Sequence, residues 1–352
     1  MERINSVLLV DDQKENITAL KSILEDKYTI YVALNGESAL KVMAKVDIDI
    51  VLLDVNMPLM DGFETLENMR KEERLEHIPV IFITSESDEF NEARGLTLGA
   101  VDYIAKPYNP SIVLIKVKNQ LENKMYRDDL EDLVKDRTAE LVESRAAIIM
   151  GMSLLAEGRD QGTGDHIKRM QDVTRILALQ VHKLHPEMLS EEEMNNTVLM
   201  APLHDIGKVY IPDAILLKPG KLTDEEFDVI KSHTHMGGEV LRQTETFLSG
   251  YKNVLHYAVQ IAESHHEKFD GTGYPYGLKG NEIPLSACIC ALADVYDALT
   301  SERPYKKAFT HEEASDIILK GDGRVMPQHF NPVVLKAFVE SSEGIKALLL
   351  SR

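Results

Sequence analysis

Five short runs rich in branched apolar residues, "SVLLVDD", "YTIYVAL", "DIVLLDV", "PVIFITS" and "VDYIAKP", alternate with helically patterned stretches through the first 120 residues. This alternation restricts folding more than any other feature of the chain. Runs so apolar suit strands buried on both faces, and strands separated by helices pair in parallel. The expectation for residues 1–120 is therefore an α/β unit built on a five-stranded parallel sheet. Such sheets carry their chemistry at the carboxyl ends of the strands.

Polar residues stand at those ends. Asp11 and Asp12 follow the first run, Asp54 ends the third, Thr84 ends the fourth, and Lys106 closes the fifth within "AKP". Adjacent strand ends would gather the carboxylates into a cluster suited to a hard divalent cation such as Mg²⁺. One carboxylate could then attack a phosphoryl group whose charge the cation offsets. Thr84 and Lys106 would donate hydrogen bonds to the new phosphoryl oxygens. A single Asp at a strand end is ordinarily a turn or cap residue, but five polar groups at successive strand ends are not explained that way.

With "VDD", "LLDVNMP", "ITS" and "AKP" in this order, residues 1 to about 120 resemble a response-regulator receiver domain of flavodoxin-like fold. The resemblance implies phosphorylation of Asp54 by a cognate sensor histidine kinase, Mg²⁺ held with help from Asp11 and Asp12, and Thr84 and Lys106 reading the phosphate. Tyr103 matches the family's aromatic switch position, and would serve equally well as an ordinary strand aromatic.

From about Ser111 to Ile149 the chain lacks Gly and Pro and is dense in charges of both signs. Leu130, Val134, Arg137, Leu141 and Ile148 fall on a near-heptad stripe, while Leu114, Val117 and Leu121 lie on an earlier, shifted one. A long helix follows, either a coiled-coil seam joining two copies or a solvated spacer. Beyond Met150 helical patterns continue to the end, broken by loops such as "KPGK" and "DGTGYPYG", so the second domain is expected to be all-α. The expected divisions are 1–120, a connector over 121–147, and 148–352.

Histidines and aspartates recur in this second part within apolar surroundings. "PLHDIGK" holds His204 and Asp205, "SHTHMGG" holds His233 and His235, "ESHHEKFDGTGYP" holds His265 and His266, "LADVYDAL" holds Asp294 and Asp297, and "GTGDHIK" holds His166. A lone histidine on an apolar helix is ordinarily a hydrogen-bonded core residue. Several such residues would carry a large cost unless a shared metal centre satisfied them together. Nitrogen and carboxylate donors without thiolate suit Fe, Mn, Ni, Co or Zn. An Asp next to a His could bridge two ions, which would ready water for attack on phosphorus. On a continuous helix His265 and His266 would point about 100° apart and so serve different partners.

These motifs resemble the HD-GYP branch of the HD superfamily from about Ile148 onward. The resemblance implies a cyclic di-GMP phosphodiesterase giving pGpG and, in some members, GMP. By matching position the metal ligands would be His166, His204, Asp205, His233, His265, His266 and Asp294. Lys208, Arg303 and Lys306 would hold substrate phosphate, and Asp297 would orient a ligand or the attacking water. Lys208 is also a candidate acid for the departing oxygen, and the "GTGYP" turn would shape the rim. His235 and His256 match no ligand position. Members with three ions carry Glu four residues before the first histidine, where this chain has Gly162. Two ions, with Fe, Mn or Ni foremost, are expected; a third would need a donor such as Asp160 or Asp165.

A formal charge of −19 disfavours nucleic acid and anionic membranes as partners, and no basic recognition helix for DNA is evident. No apolar run approaches the roughly 20 residues of a membrane span, and no secretory signal is recognisable at the start, so a cytoplasmic location is expected. Cys288 and Cys290 sit in an apolar run and are expected to be reduced core residues. Two alternatives stay open: a catalytically weak domain that senses nucleotide or docks partners, and a phosphodiesterase for another cyclic dinucleotide such as cyclic GMP-AMP.

Overall fold

The structure is a computed structural model that describes residues 4–85, 94–158, 164–247, 254–302 and 307–350. The five apolar runs form β1 (Ser6–Val10), β2 (Thr29–Ala33), β3 (Ile50–Asp54), β4 (Val80–Ser85) and β5 (Asp102–Lys106). All pair in parallel, in the order β2-β1-β3-β4-β5. Because side chains alternate along a strand, each run feeds two cores. Val7, Leu9, Ile50 and Leu52 pack with Leu20 and Leu24 of helix α1 (Lys14–Leu24). Leu8, Val10, Val51 and Leu53 pack with Met43 of α2 (Gly36–Met43) and Phe63, Leu66 and Met69 of α3 (Gly62–Arg70). Burying each such side chain contributes about 1.5–3 kcal/mol. Asn35 and Asp61 start α2 and α3 by accepting the backbone N–H of Ser38 and Glu64, at about 1 kcal/mol per cap.

Helix α4 runs unbroken from Pro110 to Glu157. Its first turns bury Val113, Val117 and Leu121 in the sheet's core, whereas every residue from Glu131 to Ile148 is exposed. The helix extends past both ends of the expected 121–147 connector. It begins as a covering helix of the sheet, because its earlier apolar stripe already has a surface to cover. The chain separates into two compact units, Met1–Ala139 and Glu140–Arg352.

In the second unit α5 (Gly164–Leu184) and α6 (Glu191–Met200) lead into a 3₁₀ segment, Ala201–Tyr210, and the short α7 (Asp213–Leu216). Then come α8 (Asp224–Glu245), α9 (Leu255–Ser264), α10 (Leu285–Thr300), α11 (His311–Lys320), α12 (Pro332–Glu340) and α13 (Ser342–Leu350), with short 3₁₀ turns at Gly280–Glu282 and Pro327–His329. Among the described residues of this unit every regular element is helical. Capping boxes at Ser190/Glu193, Thr223/Glu226 and Thr310/Glu313 start α6, α8 and α11. The core joins Met170, Leu177 and Val181 of α5 to Ile289, Leu292 and Tyr296 of α10 and Phe338 of α12.

One close approach positions the site. A Cβ on Gly207 would lie 1.9 Å from the His233 carbonyl oxygen and 2.6 Å from the Gly237 nitrogen. Only glycine lets the "HDIGK" segment lie backbone to backbone on α8, and this brings Asp205 beside His233. No described helix is long and apolar enough to cross a membrane.

Candidate metal centre

Five histidines and two carboxylates converge from five elements: Glu157 from α4, His166 from α5, His204 and Asp205 from the 3₁₀ segment, His233 from α8, and His265 and His266 from the end of α9. Local backbone fixes three of the rings. His204 Nδ1 lies 3.1 Å from the Ala201 carbonyl, His233 Nδ1 2.7 Å from that of Ile230, and His265 Nδ1 3.0 Å from that of Ile261. Each Nδ1–H donates to a carbonyl three or four residues back, so each Nε2 carries the free lone pair.

The donors form two sets. Asp205, His233, His265 and His266 have ligand atoms within 4.8 Å of one another, and so do Glu157, His166 and His204. Asp205 faces both: Oδ1 lies 3.2 Å from His233 Nε2, while Oδ2 lies 3.1 Å from His204 Nε2 and 2.9 Å from Lys208 Nζ. The Nε2 atoms of His204, His233 and His265, Oδ1 of Asp205 and both oxygens of Glu157 are buried without a hydrogen-bond partner. Buried polar atoms are nearly always paired, and metal ions between these atoms would satisfy all of them. The nitrogen and oxygen donors fit divalent transition ions.

The charges are arranged accordingly. Burial opposes ionisation of Asp205, but Lys208 and His204 outweigh it and hold the carboxyl well below its usual range. Burial also disfavours the imidazolium of His204, yet Asp205, Asp294 and Glu157 raise its proton affinity to a pKa of about 9. His265 is pushed well below its ordinary value by burial and by His266 and His204. Burial takes His266 down to about 4. Burial pushes the carboxyl of Glu157 up, against the pull of His204 and His166.

At the strand ends of the first unit Asp11, Asp12 and Asp54 form a third donor cluster. Lys106 Nζ bridges it, 2.7 Å from Asp54 Oδ1 and 3.0 Å from Asp11 Oδ2. Burial raises the Asp54 pKa, with Lys106 opposing. Thr84 is the last residue but one of β4 and lines a small cavity with Tyr103, Val55 and Phe82. Lys116 packs 4.5 Å above the Tyr103 ring and donates to its backbone carbonyl at 2.6 Å.

The model of the response regulator receiver domain matches residues 7–118, and that of the HD domain matches residues 152–327. The chain belongs to the HD-domain family, with a receiver domain preceding the HD domain. Three relatives align along nearly the whole chain. A Vibrio cholerae protein named "Probable cyclic di-GMP phosphodiesterase" is 43% identical over 95% of this chain and 77% of its own. The Xanthomonas campestris protein "Cyclic di-GMP phosphodiesterase response regulator RpfG" is 36% identical over 97% of this chain and 89% of its own. A Thermotoga maritima "Cyclic di-GMP phosphodiesterase" is 32% identical over 97% and 91%.

Within the HD domain, six of the seven ligands expected by resemblance fall into the two donor sets. Asp294, the seventh, lies outside both, though close enough to raise the proton affinity of His204 and His166. Asp297 does not reach into the centre. Its carboxylate lies 2.5 Å from His166 Nδ1 and 2.5 Å from Arg169 Nε. Arg303, Lys306, Gly162 and Asp160 lie outside the described residues. Asp165 is exposed and belongs to neither set. His235 and His256 also stay outside both sets, the former 3.4 Å from the Tyr276 hydroxyl and the latter 2.8 Å from Gln260.

The expected divergence of His265 and His266 does not occur. Helix α9 ends at Ser264, His265 is its C-cap, and the two rings lie 4.0 Å apart in one donor set. Both rings thus belong to one donor set. Tyr274 of the "GTGYP" turn packs 4.7 Å from the His266 ring. Sequence reasoning missed Glu157 and Arg169. Glu157 does have a signal, as the one charged residue between Arg145 and Arg159.

Proposed function

We propose that the protein is a two-component response regulator whose HD domain hydrolyses cyclic di-GMP to pGpG, GMP or both, under control of phosphorylation at Asp54. The observation that carries this reading is the convergence of buried, unpartnered His204, His233, His265 and Asp205 atoms on one centre. The names of the relatives give the substrate.

Two divalent transition ions, of Fe, Mn or Ni type, would be held by His166, His204 and Asp205 on one side and by Asp205, His233, His265 and His266 on the other, with Asp294 nearby. When bound they would supply Lewis acidity and a water deprotonated at neutral pH. Asp205 keeps the two sides in register through its two oxygens. Lys208, with Arg303 and Lys306, would hold the phosphodiester and offset its charge. The water oxygen would bond to phosphorus as the bond from phosphorus to the 3′-oxygen breaks, and Lys208 would give a proton to that oxygen. Asp297 holds His166 in the tautomer that leaves Nε2 free to ligate.

In the receiver domain Asp11, Asp12 and Asp54 would hold Mg²⁺, a sensor histidine kinase would phosphorylate Asp54, and Thr84, Tyr103 and Lys106 would respond to the phosphate. The exposed stripe Leu130, Val134, Leu141 and Ile148 on α4 would join two copies. A cytoplasmic location fits a substrate and a kinase of this kind.

The test is hydrolysis of cyclic di-GMP, pGpG and cyclic GMP-AMP in parallel by Mn-, Fe- and Ni-loaded protein, with Asp205→Ala as the blank. Turnover of cyclic di-GMP that disappears in the blank supports the reading. Fully loaded protein without turnover would sink it in favour of a sensing or docking role, and turnover of cyclic GMP-AMP alone would move the substrate.

A further inference from the structure

Glu157 lies at the C-terminal end of α4, 3% exposed, with both carboxylate oxygens buried and without a hydrogen-bond partner. A buried carboxylate without a partner is costly in either protonation state. As an anion it needs donors, and as an acid it needs an acceptor for its proton. Among the described residues neither lies within hydrogen-bond reach. Its nearest polar neighbours are imidazole nitrogens, His166 Nε2 at 3.8 Å and His204 Nε2 at 3.9 Å from Oε1. Those separations are too long for hydrogen bonds. They fall instead within the roughly 3–4 Å that separates ligand atoms sharing one ion with bonds of about 2.1 Å.

The two histidines are already committed at their other nitrogen, His166 to Asp297 and His204 to the Ala201 carbonyl. Both therefore present Nε2 to Glu157. Ser153, one turn earlier on α4, donates to the Pro202 carbonyl at 2.7 Å and ties this end of the helix to the segment carrying His204.

We propose that Glu157 is a metal ligand that completes, with His166 and His204, a carboxylate-bis-imidazole site for a divalent transition ion. This inference rests on the metal-centre reading above but not on turnover of any substrate. It also couples α4 to the centre, because the helix that leaves the receiver domain ends on a ligand.

The test uses the full chain stripped with chelator, reloaded with Mn²⁺, and measured for bound metal by elemental analysis and for affinity by titration calorimetry. Glu157→Gln keeps shape and removes the charge. It should lower the metal content by about one ion per chain, or weaken one class of sites at least 10-fold, while the ion held by His233, His265 and His266 is retained. His233→Ala, as the control, should lose the other class. The metal-free melting temperature of Glu157→Gln should equal or exceed that of the parent, because a buried unpaired charge has gone, whereas its rise on Mn²⁺ addition should shrink. Glu157→Asp, which pulls the carboxylate back by one methylene, should fall between. Equal metal content and affinity in parent and Glu157→Gln would overturn the proposal. If the loaded parent hydrolyses no cyclic dinucleotide and Glu157→Gln still loses an ion, the ligand assignment stands and the enzymatic reading fails.

Discussion

His166 and Asp297 meet from positions 131 residues apart, with Nδ1 of the imidazole 2.5 Å from Oδ2 of the carboxylate. Asp297 is held in turn by Arg169 and by the Ser301 hydroxyl, which donates at 3.0 Å. Asp297→Asn keeps the shape but removes the charge that fixes the ring. Metal affinity of the class that includes His166 should fall by about 10–100-fold, read by metal titration, while the class that includes His233 is unchanged. Unaltered affinity would mean that packing alone orients the ring.

Lys106 lies between two carboxylates that are almost fully buried, Asp11 and Asp54. Lys106→Met leaves them facing each other without a cation. With Lys106 itself about a quarter exposed, the loss should be about 2 kcal/mol, measured by chemical denaturation in EDTA. Added Mg²⁺ should restore more stability in the variant than in the parent, because the ion takes over the neutralising role. A variant as stable as its parent in EDTA would show that water already screens the pair.

His311 is buried, with Nδ1 2.8 Å from the Tyr296 hydroxyl and Nε2 2.8 Å from the Ser342 hydroxyl. Burial depresses its pKa, with Lys346 in the same direction and Glu312 and Glu343 opposing. The folded pKa lies below the unfolded value of about 6.5, so the associated stability is present above that pH and is lost as pH falls through the folded pKa. The HD domain should melt at lower temperature at pH 5.5 than at pH 7.5. His311→Gln, neutral at both, should show a smaller difference. An identical pH response in the two proteins would remove His311 as a contributor.

Leu130, Val134, Leu141 and Ile148 are each more than half exposed along one stripe of α4. If the stripe seats a second copy, Leu141→Glu should raise the dimer dissociation constant at least 10-fold by sedimentation, with monomer stability altered by no more than about 0.5 kcal/mol. A parent that sediments as a monomer at high concentration would leave α4 as a solvated spacer.

Periodicity and motif order made much of this protein legible. The alternation of buried runs requires strands with two covered faces, and strand ends must carry Asp11, Asp12, Asp54, Thr84 and Lys106 to one edge. The histidine motifs likewise pointed to a shared centre, because isolated buried imidazoles would be costly. Such inferences succeed where local pattern and tertiary demand agree.

What local pattern could not decide were relationships set by packing between distant segments. His265 and His266 share one donor set, their rings 4.0 Å apart, rather than serving different partners. The contact of Gly207 on α8 determines that Asp205 reaches His233. Glu157 carries no ligand motif of its own; it becomes a donor because the end of α4 packs against the segment bearing His204. The sequence by itself determined the elements and the donor types, since these depend on side-chain chemistry and short-range geometry. Only the tertiary structure decided which donors meet, since that depends on helix ends and backbone contacts between segments far apart in the chain.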